Sequence, residues 1–342
     1  MESGNGKMIG YPLLSRYRGE LMGLAILWVM LFHAYNASFS LAVLNGVKAF
    51  GYLGVDIFIF LSGMGLQFSL SKGRKLGEYL LRRAFRILPA YWLVVGLYGL
   101  WLRLCGQTRM VTVLWSMSTL HYWFHIPDTF NWYISALMAF YLIAPFYARL
   151  LRLRCKWLLT LALSVLSYGL YRMSIVLGVN YMSDFFFRIP AFALGALWGN
   201  RLAEGSPMSK RDAVGWSSLA VAGVILIELT RRKVIYLSSC YLFAAGLVPC
   251  CLLAAILLHS LPWKAPGQIL RLLGECSLEI YLLNVVFTRE YPLLRGAFGF
   301  IQNQWFYYGV VCALNLLMGI GLHKLMVPLT ARLERLEEKT GA

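Results

Sequence analysis

The sequence predicts an all-α, polytopic transmembrane protein with about ten membrane-spanning helices and almost no soluble domain. Its composition is the first reason for this prediction. Hydrophobic residues make up 59% of the 342 residues, charged residues only 14%, and the mean hydropathy is +0.64. A soluble chain of this length needs more charged side chains to cover its surface.

The second reason is that the apolar residues are grouped in blocks of suitable length. A spanning helix needs ~20 mostly apolar residues, because the hydrocarbon layer is ~30 Å thick and a helix rises ~1.5 Å per residue. The loops between blocks are short, which predicts one domain over residues 1–342, with tails at 1–20 and 329–342. The predicted spans are 21–39, 52–70, 88–104, 131–148, 157–176, 185–200, 214–230, 237–259, 273–288 and 305–328.

The third reason is the distribution of lysine and arginine, which also predicts the orientation. Ten spans place both termini on one side of the membrane. If that side is the cytoplasm, 21 of the 32 basic residues fall in inner segments and 7 in outer ones. This bias is typical of membrane proteins and predicts cytoplasmic termini. The loop at 231–233, Arg-Arg-Lys, is an exception. The net charge of +17 therefore reflects the topology. Nucleic-acid binding would need a basic face on a folded soluble domain, and the sequence predicts no such domain.

Polar residues inside the predicted spans are candidates for function, because they are costly at hydrocarbon depth and usually face a cavity or a partner. His33 lies about 9 Å from the outer end of its span, and Asp56 and Asn284 lie about 6 Å from theirs. These three are predicted to share one level in the outer half of the membrane. The full set is His33, Asp56, Arg188, Glu228, Glu279 and Asn284.

These three residue types suit acyl or proton transfer. A neutral imidazole at His33 could accept a proton from a hydroxyl nucleophile. Asp56 would fix the tautomer of that imidazole, and Asn284 would donate a hydrogen bond to a developing oxyanion. The alternative is that His33 simply hydrogen-bonds a neighbouring helix.

The most basic inner segment, 71–87, offers a candidate site for an anionic cytosolic ligand. Arg83 and Arg86 are three residues apart, so on a helix they share a face, and guanidinium groups suit phosphate. The alternative is that they rest on lipid phosphates. Pro89 is predicted to begin the next helix.

Six segments carry a resemblance to a known family: GLAILWVMLFHA (23–34), GYLGVDIFIFLSGMGL (51–66), YLLRRAFRILPAYW (79–92), NWYISALMAFYLIAP (131–145), RIPAFALGALWG (188–199) and LGECSLEIYLLN (273–284). Together and in this order they resemble the membrane-bound acyltransferase-3 family, which includes O-acetyltransferases of bacterial surface polysaccharides. Met22 stands where the family commonly has an arginine, and Asn284 replaces a late histidine. Because asparagine cannot titrate, His33 must supply any acid–base chemistry.

The resemblance implies a ten-helix enzyme of a bacterial cytoplasmic membrane. It implies transfer of an acyl group, most often acetyl, from cytosolic acyl-CoA to a hydroxyl of a lipid-linked or cell-surface glycan. The family's histidine corresponds to His33 and its arginine pair to Arg83 and Arg86. No metal is expected. The predicted site residues are His33, Asp56 and Asn284 for catalysis, Arg83 and Arg86 for the donor, and Trp132, Glu279 and Tyr281 for substrate.

Two other functions are compatible with a polytopic membrane protein. A secondary transporter commonly shows related halves with broken helices in matching positions, and no such pairing is visible. A non-catalytic envelope scaffold leaves His33, Asp56 and the arginine pair without a role. His121 and His125, with Asp128, have ligand-like spacing, but their aromatic setting predicts an interface loop at the entrance for the acceptor.

Overall fold

The computed structural model describes residues 10–70, 75–127, 130–205, 207–235, 237–260 and 264–340. Within these ranges the protein is helical and has no strand, so the all-α prediction is confirmed. The α-helices of the described residues are, in chain order, α1 (Tyr11–Arg16), α2 (Arg18–Phe32), α3 (Ala42–Ala49), α4 (Gly54–Leu70), α5 (Leu76–Leu104), α6 (Met110–Ser118), α7 (Trp132–Leu150), α8 (Lys156–Val176), α9 (Ser183–Phe186), α10 (Ile189–Ala203), α11 (Lys210–Arg231), α12 (Ser239–Ser260), α13 (Lys264–Glu275), α14 (Ser277–Arg289), α15 (Tyr291–Ala297) and α16 (Gln304–Thr340).

Several of these helices have the length and apolar character needed to cross a membrane. Seven segments of the described chain meet both conditions, and each corresponds to a predicted span. The other three predicted spans form shorter helices, α2 and α10 with 15 residues each and α14 with 13. The seven segments are Ala42–Leu70, Leu76–Leu104, Trp132–Leu150, Lys156–Val176, Lys210–Thr230, Ser239–Ser260 and Gln304–Leu336.

The third predicted span begins earlier than the sequence indicated. Pro89 was expected to start it, but α5 begins at Leu76 and carries Pro89 in its interior. A proline inside a helix removes a hydrogen bond to the carbonyl four residues earlier. That carbonyl belongs to Phe85, and the Thr330 hydroxyl of α16 donates to it at 3.4 Å. The basic segment is therefore helical from Leu76 onwards, while residues 71–74 lie outside the described chain.

The described parts of both predicted tails contain helix. α16 continues to Thr340, through most of the segment predicted as a tail. At the other end, Tyr11 is buried and its ring lies 4.6 Å from the Trp198 ring, measured between centroids. The Trp198 indole N–H donates to the Tyr11 carbonyl at 3.2 Å. These aromatic contacts hold α1 in place, which the polar character of residues 1–20 did not indicate.

The protein packs as two compact units, each built from three separate stretches of chain. The first unit comprises Met1–Met22, Leu53–Arg74 and Phe140–Arg271. The second comprises Gly23–Tyr52, Lys75–Ala139 and Leu272–Ala342.

The core of the first unit is a close contact between α4 and α10. A Cβ at Gly195 would lie 2.0 Å from the Phe60 carbonyl oxygen, and one at Gly199 would lie 2.3 Å from the Met64 carbonyl oxygen. Small residues four apart let two helix backbones approach closely in membrane proteins. α10 is buried continuously from Ile189 to Asn200. A helix that is buried on all sides has apolar residues on every face, and the sequence of this predicted span has that character.

We expect Gly195→Ala to destabilise the protein, because the added methyl group overlaps the backbone of Phe60. Overpacking of this kind costs about 1–3 kcal/mol. Gly169→Ala in α8 is the matched control, since its Cβ meets nothing within 4 Å. There the loss of glycine should raise helix stability by about 0.5–1 kcal/mol. Thermal unfolding in detergent measures both variants, and a Gly195→Ala protein as stable as the wild type would contradict the close contact.

In the second unit, two glycines fix the helices that carry the site. A Cβ at Gly319 of α16 would lie 2.5 Å from Ile280 Cγ1 of α14. A Cβ at Gly51 would lie 2.3 Å from the Trp28 carbonyl oxygen, and the Trp28 indole donates to the Val47 carbonyl at 2.7 Å. These contacts hold α16 against α14, and the end of α2 against α3.

Candidate active site

His33 lies at the end of α2. The helix ends at Phe32, and the His33 backbone N–H bonds the Met30 carbonyl at 3.0 Å in a tightened last turn. The sequence predicted a span over 21–39, with His33 six residues before its outer end, whereas the helix ends at Phe32. The shorter helix puts the imidazole in the turn directly after its last residue.

The imidazole of His33 is held in one tautomer by the backbone. Its Nδ1 lies 2.9 Å from the Val29 carbonyl oxygen. Because a carbonyl can only accept, Nδ1 carries the proton, and the neutral ring presents Nε2 as an acceptor. A general base needs this state, with a free lone pair on one nitrogen.

A small cavity adjoins His33 in the second unit. Its volume is about 20 Å³, which is room for about one water-sized group. The structure thus brings His33 and Asn284, both predicted from the sequence, to the same cavity. The polar side chains that line it are His33 from the end of α2, Asn284 and Thr288 from α14, and Tyr308, Cys312 and Asn315 from α16.

Two asparagines in this cavity have buried polar atoms without hydrogen-bond partners. Among the described residues, the Oδ1 of Asn284 (5% exposed) has no partner, and neither the Oδ1 nor the Nδ2 of Asn315 (1% exposed) has one. Burying a polar group unsatisfied costs about 1–3 kcal/mol. The sequence analysis missed Asn315, although an asparagine in the middle of the last predicted span was a signal of the same kind as Asn284.

Asp56 has a different partner from the one predicted. It is fully buried in the first unit, and its Oδ2 lies 3.9 Å from Arg188 Nε. Arg188 Nη1 also lies 3.0 Å from Asp184 Oδ1. The sequence assigned Asp56 to the imidazole of His33, but the Val29 carbonyl holds Nδ1 and Asp56 forms an ion pair with Arg188. The backbone carbonyl of Val29, and not a carboxylate, therefore fixes the tautomer of His33.

The arginine pair lies on the basic first turns of α5. Arg83 lies over the Tyr79 ring at 5.8 Å, and Arg86 is exposed. The neighbouring Arg82 pairs with Glu78 at 3.2 Å, so it is engaged within the helix. α5 has 29 residues and is about 44 Å long, which exceeds the ~30 Å hydrocarbon layer. Its excess length allows the basic turns to project beyond the layer.

The three predicted substrate-binding residues fall into two groups. Tyr281 accepts a hydrogen bond from Asn131 Nδ2 at 3.1 Å, and its ring lies 4.7 Å from that of Tyr133. The Trp132 ring lies 6.0 Å from the same Tyr133 ring, so Trp132 and Tyr281 share one aromatic group.

Glu279 forms the other group. Its Oε1 lies 3.1 Å from His323 Nδ1, and its buried Oε2 has no hydrogen-bond partner within the described part of the chain. His323 lies outside the recognisable segments, so sequence reasoning passed over it. Glu279 is therefore part of a polar contact between α14 and α16.

Comparison with known families shows which family the chain belongs to. A family model described as an acyltransferase domain, acyltransferase-3, matches residues 21–324. The chain belongs to the acyltransferase-3 family. The match includes every predicted site residue and confirms the resemblance seen in the six segments. No curated protein and no solved structure matches the chain. The protein is therefore a membrane acyltransferase.

This acyltransferase has a second cavity, also in the second unit. Its volume is about 20 Å³, and its lining combines hydroxyl groups, aromatic rings and one cation. The Tyr98 hydroxyl donates to Glu290 Oε1 at 2.5 Å, and the Arg289 guanidinium lies 5.8 Å from the Phe130 ring centroid. The lining residues that carry these groups are Tyr98, Thr108, Thr112, Ser116, Phe130 and Arg289.

The loop between α6 and α7 contains His121 and His125, whose spacing in the sequence resembles that of metal ligands. His121 Nε2 donates to the Asn131 carbonyl at 2.7 Å, and burial lowers the pKa of His121. His125 adopts a left-handed backbone conformation with φ of 50°. Asp128 lies outside the described residues. The contacts of His121 are those of a packed loop residue.

Proposed function

We propose that this acyltransferase is an O-acetyltransferase, which moves an acetyl group from cytosolic acetyl-CoA to a hydroxyl of a cell-surface or lipid-linked glycan. The observation that carries the proposal is the tautomer of His33. Its Nδ1 is engaged by the Val29 carbonyl, which leaves Nε2 as the proton acceptor of a side chain that lines the same cavity as Asn284. Membership in an acyltransferase family favours this enzyme over the transporter and the scaffold.

The proposed reaction needs one base and one hydrogen-bond donor. The hydroxyl oxygen of the acceptor attacks the thioester carbonyl carbon while its proton passes to His33 Nε2. The carbonyl oxygen becomes an oxyanion, which an amide N–H stabilises. The carbon–sulfur bond then breaks, and the CoA thiolate leaves with the proton from His33. The products are the ester and free CoA, and His33 returns to its starting state.

The size of the His33 cavity supports a short acyl group. A space of about 20 Å³ accepts about one water-sized group, such as a carbonyl oxygen or a methyl group. A long acyl chain would have to extend beyond this space. Acetyl-CoA is therefore the proposed donor, ahead of longer acyl-CoA species.

The arginine pair on α5 is the proposed site for the CoA phosphates. Guanidinium groups bind phosphate through two parallel hydrogen bonds, and the length of α5 carries these residues toward the aqueous side. In the proposed topology the chain crosses the inner membrane of a bacterium ten times with both termini in the cytoplasm, as the basic residues indicate. The basic turns of α5 then meet cytosolic CoA.

We expect the double variant Arg83→Ala/Arg86→Ala to raise the KM for acetyl-CoA by about tenfold or more, since charge-assisted hydrogen bonds contribute about 1.5–3 kcal/mol each. Arg83→Lys/Arg86→Lys should recover only part of the loss, because an ammonium group cannot form the bidentate contact. Arg152→Ala/Arg154→Ala, in a different basic inner segment, is the matched control. Acetyl-CoA titration at equal protein levels measures the effect, and an unchanged KM would return the pair to contact with lipid phosphates.

The second cavity supports a sugar as the acceptor. Its hydroxyl side chains can exchange hydrogen bonds with sugar hydroxyls, and its aromatic rings offer flat apolar faces for a sugar ring. Tyr98 and Glu290, already hydrogen-bonded to each other, would fix one wall. In the proposed topology this region lies toward the outer side, where a lipid-linked or surface glycan is available.

The proposed function is tested by transfer itself. Purified protein in lipid vesicles receives acetyl-CoA labelled in the acetyl group and lipid-linked glycan from a bacterial envelope. We expect release of free CoA thiol that depends on the glycan, with the label recovered in the glycan as an alkali-labile ester. Failure to release CoA from acetyl-CoA or longer acyl-CoA with any hydroxyl acceptor would reject the proposal.

A further inference from the structure

We propose that Asn315 is a further catalytic residue of this site, whose side-chain amide donates a hydrogen bond to the thioester oxygen as it becomes an oxyanion. The inference rests on the proposed acyl transfer and names a role for a residue outside the family-like segments quoted above. It starts from the polar atoms that the His33 cavity leaves unsatisfied.

Asn315 is unusual among the described buried side chains. It is 1% exposed, and both its Oδ1 and its Nδ2 lack a hydrogen-bond partner. The two atoms of an amide are easily exchanged in assignment, but here both are free, so a donor is available in either orientation. A polar side chain buried in this way lowers stability unless something compensates. Asn315 lies in the cavity of His33 and Asn284, so a reacting group bound there could supply the missing hydrogen bond and compensate for this cost.

The packing of α16 places Asn315 in the lining of the cavity that also contains His33. Tyr308, Cys312 and Asn315 recur at intervals of four and three residues, which places them on one face of the helix. The Tyr308 hydroxyl donates to the Met30 carbonyl, at the end of α2 that carries His33. One turn beyond Asn315, Gly319 lies against Ile280 of α14, the helix that carries Asn284. These contacts on both sides fix the part of α16 that carries Asn315 and hold its side chain at the cavity.

Acyl transfer needs a donor at this place. When the hydroxyl oxygen bonds to the carbonyl carbon, its proton moves to His33 Nε2 and the carbonyl π electrons move to oxygen. The resulting negative charge forms in a buried site, where a positioned N–H stabilises it more than water would. When the C–S bond breaks, the electrons return to the carbonyl and His33 gives its proton to the thiolate. Asn315 exchanges no proton in either step.

The test separates a catalytic role from a structural one. For Asn315→Leu we expect kcat to fall about 10²–10³-fold, as for loss of one oxyanion donor, while the KM for acetyl-CoA stays within about twofold. Thermal stability in detergent should be equal or higher, because two unsatisfied polar atoms are removed. Asn315→Ala provides a second readout with a smaller side chain and should lose at least about tenfold in kcat. Leu317→Ala is the matched control, two residues away and 69% exposed.

Each outcome supports or overturns the proposal. Reduced kcat with retained stability in at least one Asn315 variant, with wild-type kcat in neither and a normal Leu317→Ala protein, supports it. Wild-type kcat in either Asn315 variant overturns it, and so does a loss of thermal stability in both variants that accounts for the loss of activity. If the wild-type protein itself releases no CoA from any acyl-CoA, the proposed function has failed instead, and this result is distinct from the preceding ones.

Discussion

Replacing His33 by glutamine is expected to reduce acetyl transfer by about 10²–10⁴-fold, the usual contribution of a general base. Glutamine can still donate to the Val29 carbonyl, which the Nδ1–H of His33 now does at 2.9 Å, so local structure should survive. What it lacks is a group that takes a proton near neutral pH. The measurement is ester formed on the glycan at equal amounts of folded protein. His33→Ala should show a loss of similar size.

A histidine elsewhere in the protein provides the control. His259 on α12 lies 3.0 Å from the Tyr17 hydroxyl in the first unit, and His259→Gln should transfer acetyl at close to the wild-type rate. The pH profile gives an independent check. Because the base acts only when neutral, wild-type turnover should fall as the pH drops through the range in which histidine takes up a proton. His33→Gln should lack that inflection, and if it keeps more than about a tenth of wild-type turnover, another group is the base.

The helices were predictable from the sequence because membrane insertion imposes a simple pattern. Length and apolar character identified Lys156–Val176 and Ser239–Ser260 to within a few residues. The predicted helix bounds were wrong where an interaction that the sequence does not show determines where the helix begins or ends. Pro89 looked like a helix start, but a threonine from α16 satisfies the carbonyl it frees, and the helix continues. Residues 329–340 were too polar to be counted as membrane helix, although polar residues extend a helix readily once it leaves the bilayer.

The candidate site was only partly predictable, because sequence motifs do not reveal which helices meet. His33 and Asn284 were found through their cost at membrane depth, and the structure places both at one cavity. Asn315 was missed since it lies outside the recognisable segments, and only the folded structure shows that it lines the cavity. Asp56 was assigned to His33 on depth alone, and side-chain partners cannot be deduced from depth. The sequence also could not show that a backbone carbonyl would fix the imidazole.

Removing Arg188 is expected to destabilise the protein strongly. Asp56 is fully buried, and Arg188 is the opposite charge beside it at 3.9 Å. Breaking a buried ion pair by deleting one partner costs about 3–5 kcal/mol, because the remaining charge stays buried without compensation. Arg188→Met should therefore lower the unfolding temperature markedly. Asp184→Asn, which removes the partly exposed second partner of Arg188, is the matched control and should cost less than about 1 kcal/mol.

The double variant Asp56→Asn/Arg188→Met decides what Asp56 does. It removes both charges at once, so most of the lost stability should return, as replacement of a whole buried pair is often close to neutral. If Asp56 serves only the ion pair, each folded molecule should transfer acetyl at nearly the wild-type rate, because the Val29 carbonyl still fixes the His33 tautomer. The opposite result would be a double variant that is stable but has lost more than about tenfold in turnover. A loss of that size is typical of a missing catalytic group. It would show that Asp56 acts in the reaction, as the sequence predicted.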